Sequence, residues 1–506
     1  MKEFFKSDKG IILCLTIFFF ALLPFFYLKQ GLLLIDTGRE FYLPQQMLNG
    51  SVLYKDLYNM YGTLSYQFNA LLMAIFGQKI TTLYWAGIIN SLVIIITTYL
   101  LSRKFLDKIL SSLISIFIIF ALVYNTFLYN SNITYSYAIV YALSSFLISI
   151  LFLVKYLKEE DKTHFAYISC LLAGISLANK YEFVLYPIVL FLSLLIAKPL
   201  KIKDFIYSIL CFCAIPFLSF GSLFLQGFTF EDTKNTLLLF KSSLNAPTIK
   251  IFFSNFGSMF DANKYLSIIR NGKSSSLLGL LPILNTVLFI IFFKKIYQNK
   301  PLLIALLCLI VASAKSFLFL NVEHMGAFLL PLCIIAICIY LSQSKITKKI
   351  SIILLLLLTL DFALRDFSSL EQKSYLLETK KGNIYTYKKD GSTIKHCIDI
   401  LQRNNAESAM VLPEGAFINF ATDIKGNNQF YSLIPLIYLD IFGEEKVLTD
   451  VKNNLPEFVI ILPIDTSEYG YKYFGIDYAQ NFYEMIKDNY ELIDEHKQIQ
   501  TYKRKN

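Results

Sequence analysis

Long apolar runs alternate with short polar breaks from the start of the chain to about residue 364, after which the pattern becomes mixed. Runs able to cross ~30 Å of hydrocarbon lie at about 11–28, 80–101, 109–127, 133–154, 203–226, 276–293, 301–320, 325–341 and 350–364. A further pair, at about 164–178 and 183–197, is broken by Asn179-Lys180-Tyr181-Glu182, and counting both halves predicts eleven spans. The first run exceeds the apolar part of a signal peptide, and no small-residue cleavage site stands near Pro24. It therefore reads as a retained span.

The polar breaks carry a second pattern. Lys2, Lys6 and Lys9 precede the first run, and alternate breaks are basic: Arg103/Lys104/Lys108, Lys155/Lys158/Lys162, Lys198/Lys201/Lys203, Lys294/Lys295/Lys300 and Lys345/Lys348/Lys349. The short breaks between them hold few cations, and the long one at 227–275 carries a mildly basic patch. Positive residues stay on the cytoplasmic side, so the N-terminus is expected there. Residues 1–365 form the membrane domain, with outer loops at 29–79 and 227–275, and residues 366–506 form an outer domain.

Within the first loop, Leu64, Phe68, Leu71, Leu72, Ile75 and Phe76 recur at helical spacing, predicting a helix on the outer leaflet. Gly38–Leu48 suggests another short helix, with Gly50 placed to end it. In the tail, Ala409–Leu412 and Phe458–Leu462 read as buried strands, and Ser392–Arg403 and Tyr478–Asn489 as helices. That alternation predicts a small α/β domain.

Composition agrees with a membrane protein: 55% of residues are hydrophobic, 17% are charged, and the mean hydropathy is +0.53. The net charge of +10 comes mainly from cations at span ends, which excludes nucleic acid as the partner it implies. Of eight Cys, only Cys397 lies outside an apolar run, so no disulfide framework is indicated. Four scattered His and no ligand cluster give no support for a bound metal or other cofactor. A glycine-rich phosphate loop, G-x-S-x-G and paired C-x-x-C are all missing from the sequence.

The unusual chemistry is in the first loop, where Asp36, Glu40 and Asp56 follow a span closely. An acid there needs water, a cavity or a partner. Asp36 suits a general base near a lipid-borne substrate, or a carboxylate that only caps the next helix. Glu40 shares its helix face. Asp56 could orient an acceptor, or pair with Lys55 or Arg39. Lys180, held by Glu182, could meet a lipid phosphate or simply snorkel, and His324 opens a late span on the same side.

These residues resemble a known family. Asp36-x-Gly38, Asn49-Gly50, Tyr54-x-Asp56 and Tyr61-Gly62 up to Phe76-Gly77 are similar to the first outer loop of GT-C membrane glycosyltransferases. The branch resembled is that of bacterial relatives of protein O-mannosyltransferases and lipid A aminoarabinose transferases. Gly174-x-x-Leu177-Ala178-x-Lys180-x-Glu182, His324 with Leu329-Leu330-Pro331, Leu412-Pro413-Glu414-Gly415 and Asp488-Asn489-Tyr490-Glu491 resemble later parts. Two features depart: Asp36-Thr37 replaces an Asp-Glu pair, and Gly62-Thr63 a Gly-Pro.

The resemblance implies a polytopic helical GT-C fold with a C-terminal outer α/β domain, in the bacterial cytoplasmic membrane. It implies transfer of a sugar from a polyprenyl-phosphate donor to a hydroxyl of an outer lipid, glycan or protein. Asp36 would be the base, with Asp56 and Glu40 beside it, and Lys180, His324, Glu182 and Arg270 would serve the donor phosphate. A polysaccharide polymerase or ligase would instead rely on outer-loop Arg such as Arg270. A flippase would need charges along the span centres, which are nearly free of them. A scaffold whose outer domain only binds a partner is the remaining class.

Overall fold

A computed structural model describes residues 7–126, 130–159, 162–256, 280–314, 328–427 and 429–505. Helices occupy the expected apolar runs. They are α1 Asp8–Phe26, α2 Asp36–Leu48, α3 Leu64–Phe76, α4 Ile80–Ser102, α5 Lys108–Ile118, α6 Tyr137–Lys158, α7 His164–Asn179 and α8 Tyr186–Leu192. There follow α9 Ile202–Leu225, α10 Phe230–Asn245, α11 Pro247–Phe256, α12 Leu281–Tyr297, α13 Lys300–Ala312, α14 Leu330–Leu341 and α15 Lys345–Gln372. Among the described residues, α1, α4, α6 and α9 are each long and apolar enough to cross a membrane. Both helices expected in the first loop form, as α2 and α3.

Helix α6 is the centre of the bundle, with most of its residues buried. In hydrocarbon a polar side chain has to find protein partners, and α6 provides them. Asn90 of α4 donates to the Val140 carbonyl at 3.1 Å, and Ser144 donates to Asn90 at 2.7 Å. Ser149 donates to the Ser169 carbonyl of α7 at 2.6 Å. Small residues let backbones close in: a Cβ on Gly174 of α7 would lie 2.1 Å from the Phe212 carbonyl of α9.

Chain ends that the charge pattern places on one side do meet. Arg103 holds Asp8 at 3.0 Å, Lys348 pairs with Asp107, and Lys198 donates to the Tyr156 carbonyl at 2.8 Å. At the other end, Gly62 donates to the Asn179 carbonyl at 3.1 Å.

Helix α15 runs unbroken through residue 365 to Gln372, because Phe362, Asp366, Ser369 and Leu370 are buried against neighbouring elements rather than released to solvent. The outer unit then opens with an antiparallel hairpin, β1 Tyr375–Thr379 and β2 Gly382–Thr386, that the residue pattern did not suggest. It continues with α16 Lys388–Arg403, β3 Ala409–Leu412, α17 Ala416–Thr422, α18 Glu444–Asn453, β4 Phe458–Ile461, α19 Gln480–Asn489, β5 Tyr490–His496 and β6 Ile499–Arg504. The sheet order is β3-β4-β6-β5, with β3 and β4 parallel and the other pairs antiparallel. Two backbone bonds tie the hairpin to the bundle: Tyr385 donates to the Leu28 carbonyl at 2.9 Å, and Ile80 to the Lys381 carbonyl at 3.0 Å.

Replacing Gly174 by Val would force α7 and α9 apart. A loss on the order of 1–3 kcal/mol is expected for such overpacking, read as a lower melting temperature of the purified protein in detergent; an unchanged melting temperature would mean the two helices can separate freely.

Candidate functional site

Asp36 opens α2, where the positive helix end favours an acid. One turn on, Arg39 meets its carboxylate at 3.3 Å, and a third of the Asp36 side chain (33%) remains exposed. Arg39 also reaches Glu40 at 3.4 Å and donates to the Tyr135 carbonyl at 3.2 Å. Glu40 itself is fully buried and accepts from the Tyr66 hydroxyl at 2.8 Å and the Tyr137 amide at 2.7 Å. Burial raises its carboxyl above the ordinary range, and the Arg39 charge acts against that rise.

The second cation arrives from α7. A Cβ on Gly62 would stand 2.0 Å from the Ala178 carbonyl, so only glycine lets the first loop lie against the end of α7. That contact sets Tyr61 beside Lys180. The Lys180 ammonium lies 3.6 Å from the Tyr61 ring centroid, and the Arg39 guanidinium lies 5.0 Å from it. One aromatic ring thus serves two cations. Lys180 pairs with Glu182 at 3.3 Å. Burial pulls its ammonium below the ordinary range, with Glu182 pulling the other way.

The outer domain closes the site. Gly38 of α2 abuts the Phe417 amide of α17, which a Cβ would approach to 2.8 Å. Glu414 stands just past the carboxyl end of β3 and accepts from Ser432 at 3.0 Å. Burial, and then the negative charge of Asp36, push its carboxyl up to about 8. Glu468 is raised by burial and by Asp36 as well. Tyr431 donates to the Tyr58 carbonyl at 3.1 Å, another bond between outer domain and first loop.

Of the residues singled out in the sequence, Asp36, Glu40, Lys180 and Glu182 come together here. Asp56 does not join them. Its carboxylate accepts from the Val52 amide at 2.8 Å and closes its own turn, while Lys55 donates to the Gly227 carbonyl at 2.9 Å. Arg39 pairs with Asp36 and Glu40 instead of Asp56, because all three share α2. His324 and Arg270 lie outside the described residues. Glu414 was not among the sequence candidates, although Leu412-Pro413-Glu414-Gly415 carried part of the resemblance; an acid just past a buried parallel strand is the signal that could have found it, since ligands gather at strand carboxyl ends. Among the described residues, no group of three or more His, Cys, Asp or Glu is placed to hold a metal ion.

The fold, an apolar helical bundle carrying a C-terminal α/β domain, is of the GT-C type. Residues 64–221, less than half of the chain, match the model of the family described as dolichyl-phosphate-mannose-protein mannosyltransferase. The fold is similar to ArnT from Cupriavidus metallidurans, solved bound to undecaprenyl phosphate, with a TM-score of 0.56, 10% identity and 98% of each chain covered. It is also similar to the Archaeoglobus fulgidus oligosaccharyltransferase. The apo form gives a TM-score of 0.53 at 9% identity, covering 91% of this chain and 70% of that one. The form with Zn and sulfate gives 0.51 at 12% identity, covering 88% and 67%. No curated protein sequence matches the chain.

A group whose folded pKa is raised holds a proton that the unfolded chain releases, so its contribution to stability falls as pH rises between the two values. For Glu414 that window runs from its ordinary 4.5 to about 8. Glu414→Gln is therefore expected to reduce the loss of thermal stability across this window, measured by unfolding in detergent at stepped pH. An identical slope in the variant would show that Glu414 is ionised in the folded protein.

Proposed function

We propose that this chain is an inverting glycosyltransferase, moving a sugar from a polyprenyl-phosphate donor to a hydroxyl of an outer acceptor. The observation that carries the reading is the gathering of a part-exposed carboxylate, Asp36, with two cations, Arg39 and Lys180, around Tyr61. The fold and the family model, both of glycosyltransferases, support it. So does the lipid phosphate bound by the ArnT structure.

The chemistry needs little more than these groups. As the acceptor oxygen attacks the anomeric carbon, its proton passes to an Asp36 carboxylate oxygen. The new C–O bond forms on the face opposite the phosphate. The bond from the anomeric carbon to the phosphate oxygen breaks, and the electron pair leaves with the polyprenyl phosphate. Phosphate is already a good leaving group, so cations placed on it replace a protonating acid. Lys180 is that cation, and Arg39 supports it while holding Asp36 in place. Glu40, enclosed by Tyr66, Tyr137 and Arg39, positions Arg39 rather than taking the proton. Glu414 stays protonated below about pH 8, so it adds no negative charge against the donor and can hold the acceptor. The reaction belongs on the outer face of a bacterial cytoplasmic membrane, by the charge pattern of the loops.

In a deletion strain the lipid-linked donor should accumulate and the receiving glycan, lipid or protein should lose one sugar. Complementation with Asp36→Asn at normal expression should leave transfer reduced by about 10²–10⁴-fold, the range for losing a general base, while Lys180→Met should also impair it and Asp56→Asn should matter far less. Normal transfer by the Asp36 variant would overturn the assignment of the base.

A further inference from the structure

A second feature lies on the other flank of α3, independent of the transferase reading. Phe68, Leu72 and Phe76 of α3 face Trp85, Ile89 and Val93 of α4 across a cleft of about 780 Å³. Phe76 and Ile89 on its rim are 67% and 64% exposed, although α4 is apolar enough to cross a membrane. The opposite flank of α3 is occupied, since Gln67 donates to the Ser219 carbonyl of α9 at 2.8 Å.

The lining says what the cleft can take. Of its four uncharged polar side chains, all but Thr81 are turned to protein partners: Tyr141 donates to Asn69 at 2.8 Å, Asn90 to the Val140 carbonyl at 3.1 Å, and Thr82 to the Gly77 carbonyl at 2.7 Å. A sugar or peptide would find few groups to bond there, whereas hydrocarbon needs none. Charge appears only at the mouth. Lys79, exposed, precedes α4 and lines the cleft. The bond from Ile80 to the Lys381 carbonyl brings the hairpin tip alongside, with Lys380 exposed and Lys381 paired with Asp423. Apolar walls with a cationic mouth complement a lipid whose tail is buried and whose head is anionic.

The geometry points to a binding seat for an anionic membrane phospholipid, one acyl chain lying between α3 and α4 and its phosphate at Lys79. The seat is separate from the Lys180 cluster in that none of Asp36, Arg39, Tyr61, Lys180 and Glu182 lines the cleft.

The chain contains a single tryptophan, and it is Trp85, in the cleft wall. Its fluorescence therefore reports occupancy. The detergent-purified full chain would be titrated with brominated phosphatidylglycerol and with brominated phosphatidylcholine. The expected result is half-quenching by the anionic lipid at a several-fold lower mole fraction. Lys79→Gln should erase that preference, and Ala86→Phe, which fills the wall, should weaken quenching by both lipids. Equal titrations in the wild type, or a preference that survives Lys79→Gln, would overturn the proposal. Displacement of the brominated lipid by a prenyl phosphate at lower concentration than by unlabelled phosphatidylglycerol would also overturn it, giving the cleft to a donor-type lipid.

Discussion

A carboxylate cut off from water has to be surrounded by donors, and Glu40 receives them from three directions. Arg39 comes from its own helix, the Tyr66 hydroxyl from α3 and the Tyr137 amide from the start of α6. Removing any of the three would leave a buried charge short of partners, which costs several times what a surface pair is worth. The consequence is positional. With Glu40 satisfied, α2 can sit in one place only, and Arg39 is turned so that its guanidinium also meets Asp36. The Asp36 carboxylate, the proposed base, is thus placed by a neighbour that is fully buried.

The same logic explains why two cations can stand near one ring. Lys180 is buried, and burial disfavours its charge. Glu182 and the Tyr61 face offset part of that cost. Lys180 is thus a buried, paired cation at the end of α7, the group the proposed function assigns to a lipid phosphate. The arrangement depends on Gly62, since any side chain there would push Tyr61 off Lys180.

Much of this was legible in the residue order, for a physical reason. Helices in hydrocarbon must satisfy their backbones internally, so apolar runs map directly onto α1, α4, α6 and α9. Asp36 and the Lys180-Glu182 pair stood out because charges next to such runs are costly. Glu414 did not stand out, since its proximity to Asp36 is created by α17 meeting Gly38, a contact between residues nearly four hundred positions apart. Asp56 misled for the opposite reason. It looks like a free acid in the chain, but the five-residue turn from Val52 to Asp56 engages it. The end of α15 was misjudged because polarity begins at residue 366 while burial continues to Leu370.

In the proposed reaction, the division of parts between bundle and C-terminal domain follows from where each substrate can go. A prenyl phosphate cannot bring its head group far above the bilayer, so its cations have to come from span ends such as Lys180. An acceptor arrives from the aqueous side, so groups that hold it are best supplied by the outer domain. Glu414 and Glu468 are so placed, both sensing Asp36. Neighbouring carboxyls cannot all be ionised beside one another cheaply, and the raised ones are Glu414 and Glu468. Asp36, the proposed base, is the carboxylate with a cation beside it, Arg39 at 3.3 Å, and it stands at the positive end of α2. The proposed base and the carboxyls proposed to face the acceptor thus differ in their surroundings, a cation beside the one and burial around the others.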